Sequence, residues 1–251
     1  MLTRIESEGI YRSNDGWGQA QYHFAYAEYV DPSNTHFGVL CALNDFVLRP
    51  GRGFEEHPHQ EMEIISYCIE GQLTHSDSLG NKHTLDRGEV QYLRAGSGVT
   101  HSEMNLSPTT PLRFIQVWIR PRRAKLAPEY RHARFPEDAR RNTLLRLVSG
   151  RSGESAIEVE QDVEIYAVEV EPAGEVAFRN RAERQSYMVV VEGGLQANKQ
   201  DLRAGDALKV RGDESLKLRS ESGAHTIIVN VPSDGLGVSL GSESHRKMGM
   251  I

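Results

Sequence analysis

Two pairs of residues in this chain are spaced to bind a metal ion. His57 and His59 flank Pro58, and His101 and Glu103 flank Ser102. Side chains at i and i+2 of a β-strand leave the same face, roughly 6.6 Å apart along the strand, so one strand offers two ligands and two neighbouring strands offer four. Imidazole suits Fe, Ni, Cu and Zn, and a carboxylate added to imidazoles moves the preference toward Fe(II), Mn(II) or Ni(II). The predicted metal site is therefore His57, His59, His101 and Glu103. One His-x-His on a loop is often surface decoration, but two spaced pairs inside strand-like segments point to a site.

The surrounding segments must hold these pairs in strands. Gly51 stands six residues before His57, and Gly71 closes the strand-like run from Glu63 to Ile69. Asp77-Ser78-Leu79-Gly80-Asn81 reads as a hairpin turn; Gly88, the Gly96-Ser97-Gly98 turn and Asn105 frame the second pair. If the period holds past His59, Glu61 and Glu63 share the inward face, and Glu63 becomes a rival fourth ligand. Gln116 and Trp118 alternate with apolar residues on a later strand, where they are candidates to line the cavity, although Trp118 reads first as core. His75 and His83, flanking the hairpin tip, read as surface residues, His23 as packed and His36 as solvated.

With glycines at tight turns and histidines pointing inward, this layout resembles the two-part cupin signature of a small β-barrel. More narrowly, Gly53 to Glu63, the run Ala95-Gly96-Ser97-Gly98-Val99-Thr100-His101-Ser102-Glu103-Met104 and Gln116-Val117-Trp118-Ile119 resemble the pirin family, in particular its bacterial quercetinase-like branch. The likeness extends to about Pro232. It implies that the fourth ligand is the Glu two residues after the third His, Glu103, and it leaves Glu63 as a supporting hydrogen-bond partner. It also implies one divalent metal, Fe(II) first, with Ni, Mn, Cu, Co and Zn as alternatives.

At 251 residues, 38% hydrophobic, with 23 Gly and 7% aromatic residues, the chain suits short strands joined by many turns. The predicted fold is all-β, two jelly-roll cupin barrels packed together as a bicupin. Residues 1–121 form the metal-binding barrel and 122–142 a basic linker; residues 143–232 form a second barrel, and 233–251 a Gly- and Ser-rich flexible tail. In the second half, Glu192-Gly193-Gly194-Leu195 parallels Glu70-Gly71-Gln72-Leu73, and Arg203-Ala204-Gly205-Asp206 parallels Asp86-Arg87-Gly88-Glu89. Carried across these matches, the ligand positions fall on Arg179, Arg181, Leu218 and Ser220. Guanidinium has no acceptor, so the second barrel is predicted to be metal-free.

The net charge of −6 argues against direct nucleic-acid or membrane partners. Two cysteines imply no disulfide framework, the N-terminal residues lack the apolar core of a signal peptide, and a cytoplasmic protein is expected. From Arg120 to Arg141, Lys125 and seven arginines face Glu129, Glu137 and Asp138, a local excess of five positive charges. This stretch reads as a salt-bridged connector, or else as a docking surface for an acidic protein partner; Pro136 to Arg140 suits a short helix. The resemblance implies a metal-dependent dioxygenase similar to quercetin 2,3-dioxygenase, taking a flavonol-like aromatic substrate and O2 and releasing CO. Glu103 is then both a ligand and the candidate catalytic base. The alternative is a pirin-like metal-binding regulator that binds a transcription factor or metabolic enzyme without turnover.

Overall fold

A computed structural model describes residues 1–234, so all but the first two residues of the predicted tail lie outside the described residues. Two compact units appear among the described residues, one of Tyr11–Arg134, the other of Met1–Ile10 together with Phe135–Asp234. Both are built of strands, with two short 3-10 turns at Ser7–Gly9 and Glu137–Arg140; the second is the helix expected near Pro136.

The boundaries differ from the sequence expectation at both ends of the first barrel. Strand β1 (Leu2–Ile5) belongs to the second unit, where it pairs antiparallel from Leu2 opposite Val210 to Ile5 opposite Ala207. Leu2 packs on that unit's apolar core, and Arg4 reaches the buried carboxylate of Asp206 at 2.9 Å. An added strand covers an otherwise open sheet edge, and four residues carry no sequence mark of which sheet they join.

The first unit starts with β2 (Tyr11–Asn14), β3 (Gly18–Tyr22) and β4 (Leu40–Leu48). The site region follows with β5 (Gly53–His59), β6 (Glu63–Glu70), β7 (Leu73–Asp77), β8 (Lys82–Leu85), β9 (Val90–Arg94) and β10 (Val99–Met104). It closes with β11 (Leu112–Ile119) and β12 (Glu129–Ala133). Seven strands form one sheet in the order β12-β9-β6-β11-β4-β3-β2, and β5-β10-β7-β8 form the other. Strand β12 lies inside the predicted linker, yet it completes the first barrel's larger sheet, Glu129 opposite Arg94 and Ala133 opposite Val90. Charges on it and just after it are paired, Glu129 with Arg94 at 2.7 Å and Arg134 with Glu89 at 3.0 Å.

In the second unit, β13 (Leu145–Ser149) and β14 (Ile157–Glu158) lead into β15 (Glu164–Val170), β16 (Gly174–Asn180) and the long β17 (Arg184–Ala197). Then come β18 (Gln200–Arg203), β19 (Ala207–Arg211), β20 (Glu214–Ser220) and β21 (Ala224–Pro232). Val176, Phe178, Leu195, Leu216, Leu218 and Ile228 fill its interior. Leu218 and Ser220 are buried, and Arg179 and Arg181 are exposed, as arginines usually are, with Arg179 toward Asp213 at 3.3 Å, although the match to the first barrel had set them opposite the inward His57 and His59. Phe178 and Asn180 take the inward positions of β16. A one-residue slip in matching the two barrels moves every side chain to the opposite face, and this is the physical content of the correction.

Candidate metal centre

Strands β5 and β10 run antiparallel with His101 opposite His57 and Val99 opposite His59. Between that pairing and the next, Glu103 opposite Phe54, two residues of β5 (Glu55 and Glu56) face the single Ser102. This is a β-bulge, a device that re-aims side chains next to functional sites. It requires a glycine beside it: a Cβ on Gly53 would lie 2.3 Å from the carbonyl oxygen of Glu103. At the other end of β10, Gly96 has φ +47° and a Cβ there would sit 2.1 Å from the Leu126 carbonyl, so only glycine turns the chain into β10 at this point.

The strands bring His57, His59 and His101 together. Their ring centroids are 4.5 to 4.9 Å apart, and one nitrogen from each lies within 4.8 Å of the others. All three are buried, at 8%, 7% and 1% exposure. The His57 Nδ1–H donates to the Glu55 carbonyl in the bulge at 2.7 Å, which turns its Nε2 lone pair toward the cluster. The Nε2 of His101 is buried with no hydrogen-bond partner. Burial, then the neighbouring His57, lowers the His59 imidazole to about 3. Burial, then His59, His57 and His75, holds His101 well below its ordinary value. Neutral imidazoles crowded around an unsatisfied buried nitrogen are what a divalent cation completes, and nitrogen donors fit a first-row transition metal. Among the described residues, this is the one group of three or more His, Cys, Asp or Glu side chains so arranged.

That group does not include Glu103. Its carboxylate, 1% exposed, accepts from the Ser66 hydroxyl and the Gln91 amide on Oε1, both at 2.8 Å, and from the Gln116 amide on Oε2 at 2.6 Å. Glu63 is buried elsewhere in the barrel and accepts from the Tyr92 hydroxyl at 2.5 Å. Gln116 also accepts from the Trp118 indole N–H at 2.9 Å. Trp118 packs in the apolar core and meets His59 edge-on at 5.0 Å. Phe54 stands 6.3 Å from His57 and lines a cleft with Trp17, Tyr22, Tyr26 and Phe46.

Ser66 and Gln91 escape sequence reasoning; Gln116 is marked by its alternation on β11, but nothing local marks these three residues, from three different strands of the larger sheet, as partners of one carboxylate. His75 is the plainest correction: predicted at the surface, it is fully buried on β7, opposite Glu103 in the ladder, with Nδ1 3.4 Å from Nδ1 of His101. The available signal was the alternation of β7 itself, which puts Leu73 and His75 on one face. His83 is partly exposed and stacks on His132 at 3.6 Å.

The family model described as Pirin matches residues 6–119, and the one described as Quercetinase C-terminal cupin domain matches residues 146–231. The quercetin 2,3-dioxygenase of Escherichia coli K12 is 33% identical over 220 residues, 88% of this chain and 94% of that protein. A pirin-like protein of Caulobacter vibrioides is 32% identical over 231 residues, 92% of this chain and 99% of that one. Among solved structures, the bacterial pirin YhhW of E. coli in complex with nickel(II) aligns with a TM-score of 0.86 at 30% identity, covering 92% of this chain and 99% of its own. The match spans both barrels, as a bicupin requires. No helix among the described residues is long and apolar enough to cross a membrane.

Proposed function

Since this chain belongs to the pirin family, we propose that it is a metal-dependent dioxygenase that opens a flavonol with O2 and releases carbon monoxide. The observation that carries this reading is the cluster of His57, His59 and His101 around an unpartnered buried nitrogen. Those residues would hold one divalent ion, Fe(II) in our reading, and the solved nickel(II) complex of a relative supports a first-row metal. When bound, such an ion acidifies a coordinated hydroxyl and templates the two reactants.

The chain's own groups account for the rest. An ionised carboxylate has about four acceptor sites. Ser66, Gln91 and Gln116 occupy three at Glu103, which leaves one to complete the metal's ligands or to take the proton of the flavonol 3-hydroxyl. The three donors hold the carboxylate in place for either role, and proton transfer of this kind is worth about 10²- to 10⁴-fold in rate. Phe54 and the cleft it lines with Trp17, Tyr22, Tyr26 and Phe46 give a flat ring system apolar faces to pack on.

Titration of the metal-loaded protein with quercetin without oxygen, followed by admission of oxygen in an electrode cell, tests the proposal. Red-shifted flavonol absorption on binding and stoichiometric oxygen uptake are expected. Loaded protein that takes up no oxygen with any flavonol would leave the regulatory reading in its place.

A further inference from the structure

Behind His101 lies a buried side-chain chain that takes no direct part in holding a metal. His75 Nε2 is 3.0 Å from Oδ2 of Asp77, and His75 Nδ1 is 3.4 Å from Nδ1 of His101. Neither His75 nor the Asp77 side chain is exposed. Asp77 opens the hairpin turn, and its Oδ1 accepts the backbone N–H groups of Leu79 at 2.9 Å and Asn81 at 3.0 Å. The Asn81 amide adds contacts at 3.1 and 3.0 Å to the two carboxylate oxygens. Tyr130 from β12 stacks on the His75 ring, centroids 4.3 Å apart and planes 10° from parallel. The turn fixes the carboxylate, and the tyrosine fixes the plane of the ring.

Hydrogen positions then follow by elimination. An ionised carboxylate only accepts, so His75 carries its hydrogen on Nε2. If His75 is neutral, its single N–H is the one that faces Asp77, and Nδ1 is left as a lone pair able only to accept. The hydrogen in the contact with His101 must therefore sit on His101 Nδ1. His101 Nε2 is left as a bare lone pair, and it is the atom with no partner in the barrel. We propose that Asp77 and His75 form a relay that fixes the tautomer and ring orientation of His101 so that Nε2 is presented to the metal, making His75 a positioning residue.

Ligating histidines commonly donate their second N–H to a carboxylate or carbonyl, which fixes the ring and raises its basicity. His57 does this directly through the Glu55 carbonyl at 2.7 Å. His101 does it through an interposed imidazole, because the ladder places His75 and Asp77 of β7 along its own strand, with Asp77 opposite His101. At 3.4 Å the contact between the rings is long for a hydrogen bond. It is also sealed from water and paired with nothing else that can accept, so the hydrogen has one place to go.

The inference rests on the metal centre proposed above and not on flavonol turnover. Its first test uses the metal-free wild type: long-range proton–nitrogen correlation spectra of the imidazoles should show His101 protonated on Nδ1 and His75 on Nε2. Finding His101 protonated on Nε2 overturns the relay, whatever the protein catalyses. The second test measures affinity for Ni(II) or Co(II) by chelator competition. His75→Phe keeps the ring on Tyr130 but removes both nitrogens; it should bind the metal about 10- to 100-fold more weakly and release the His101 tautomer in the metal-free spectrum. Asp77→Asn should shift the same two readouts less, and it serves where His75→Phe does not fold. Unchanged tautomer and affinity in the variant that folds contradict the proposal. A wild type that binds neither ion removes the metal centre itself, a failure distinct from that of the relay.

Discussion

Replacing Glu103 should destabilise the metal-free protein by an amount set by its three donors. Ser66, Gln91 and Gln116 all point at this one carboxylate from buried positions. A hydrogen bond to a charged group contributes about 1.5–3 kcal/mol, so loss of all three sums to about 4.5–9 kcal/mol in a dry cavity. The space left by Glu103→Ala is lined by polar groups and can admit water, which brings the expected loss to about 3–6 kcal/mol. Glu103→Gln is the finer test. With its oxygen where Ser66 and Gln91 donate, its amide nitrogen faces the Gln116 amide, and two donors meet. Turning Gln116 repairs that contact but takes away the acceptor of the Trp118 indole. One hydrogen bond is lost either way, about 1–3 kcal/mol. Urea unfolding of chelator-treated protein, with the slope compared across variants to confirm a two-state transition, measures both. Losses under about 1 kcal/mol for Ala, or Gln as damaging as Ala, would refute the three-donor reasoning.

Two further outcomes are expected. Glu103→Ala should weaken metal binding much more than Glu63→Ala, since Glu63 answers to Tyr92 in a different part of the barrel; the reverse order in chelator competition would move the site to the adjoining strand. The metal-free protein should also lose stability on mild acidification. His59 is held near 3 and His101 well below its usual value, whereas both titrate near 6.5 once unfolded. The unfolded chain therefore binds the extra protons. Stability is full above about pH 6.5 and falls as pH drops from there toward 3, by up to about 1.4 kcal/mol per pH unit for each histidine. Urea midpoints that are flat between pH 7 and 5 would contradict this.

How much of this was legible in the sequence follows from how local each feature is. His57, His59 and His101 were readable because a two-residue period fixes a common face within one strand, and the glycines around them mark the turns. The bulge at Glu55 and Glu56 was not, although it is what orients His57. Partners of Glu103 on β6, β9 and β11 depend on which strands become neighbours, which no short window encodes. The placing of β1 in the second unit and β12 in the first reflects the same limit: an edge strand of four or five residues finds its sheet through pairing alone. Arg179 was misplaced by a single residue of register, the smallest error that reverses a face. His75 was misjudged because polarity beside a hairpin suggests solvent, while strand alternation, the stronger signal, carried it inward.

The central claim is that the three-histidine centre turns over a flavonol, and carbon monoxide is its most direct reporter. Headspace carbon monoxide should be measured with quercetin and oxygen present, on samples whose metal content is determined in parallel. Wild-type protein carrying about one metal per chain should release one carbon monoxide per oxygen consumed, and a His57→Ala/His101→Ala variant should carry no metal and release none. Oxygen consumption without carbon monoxide from fully loaded protein, or full metal content and release in the double variant, would contradict the account.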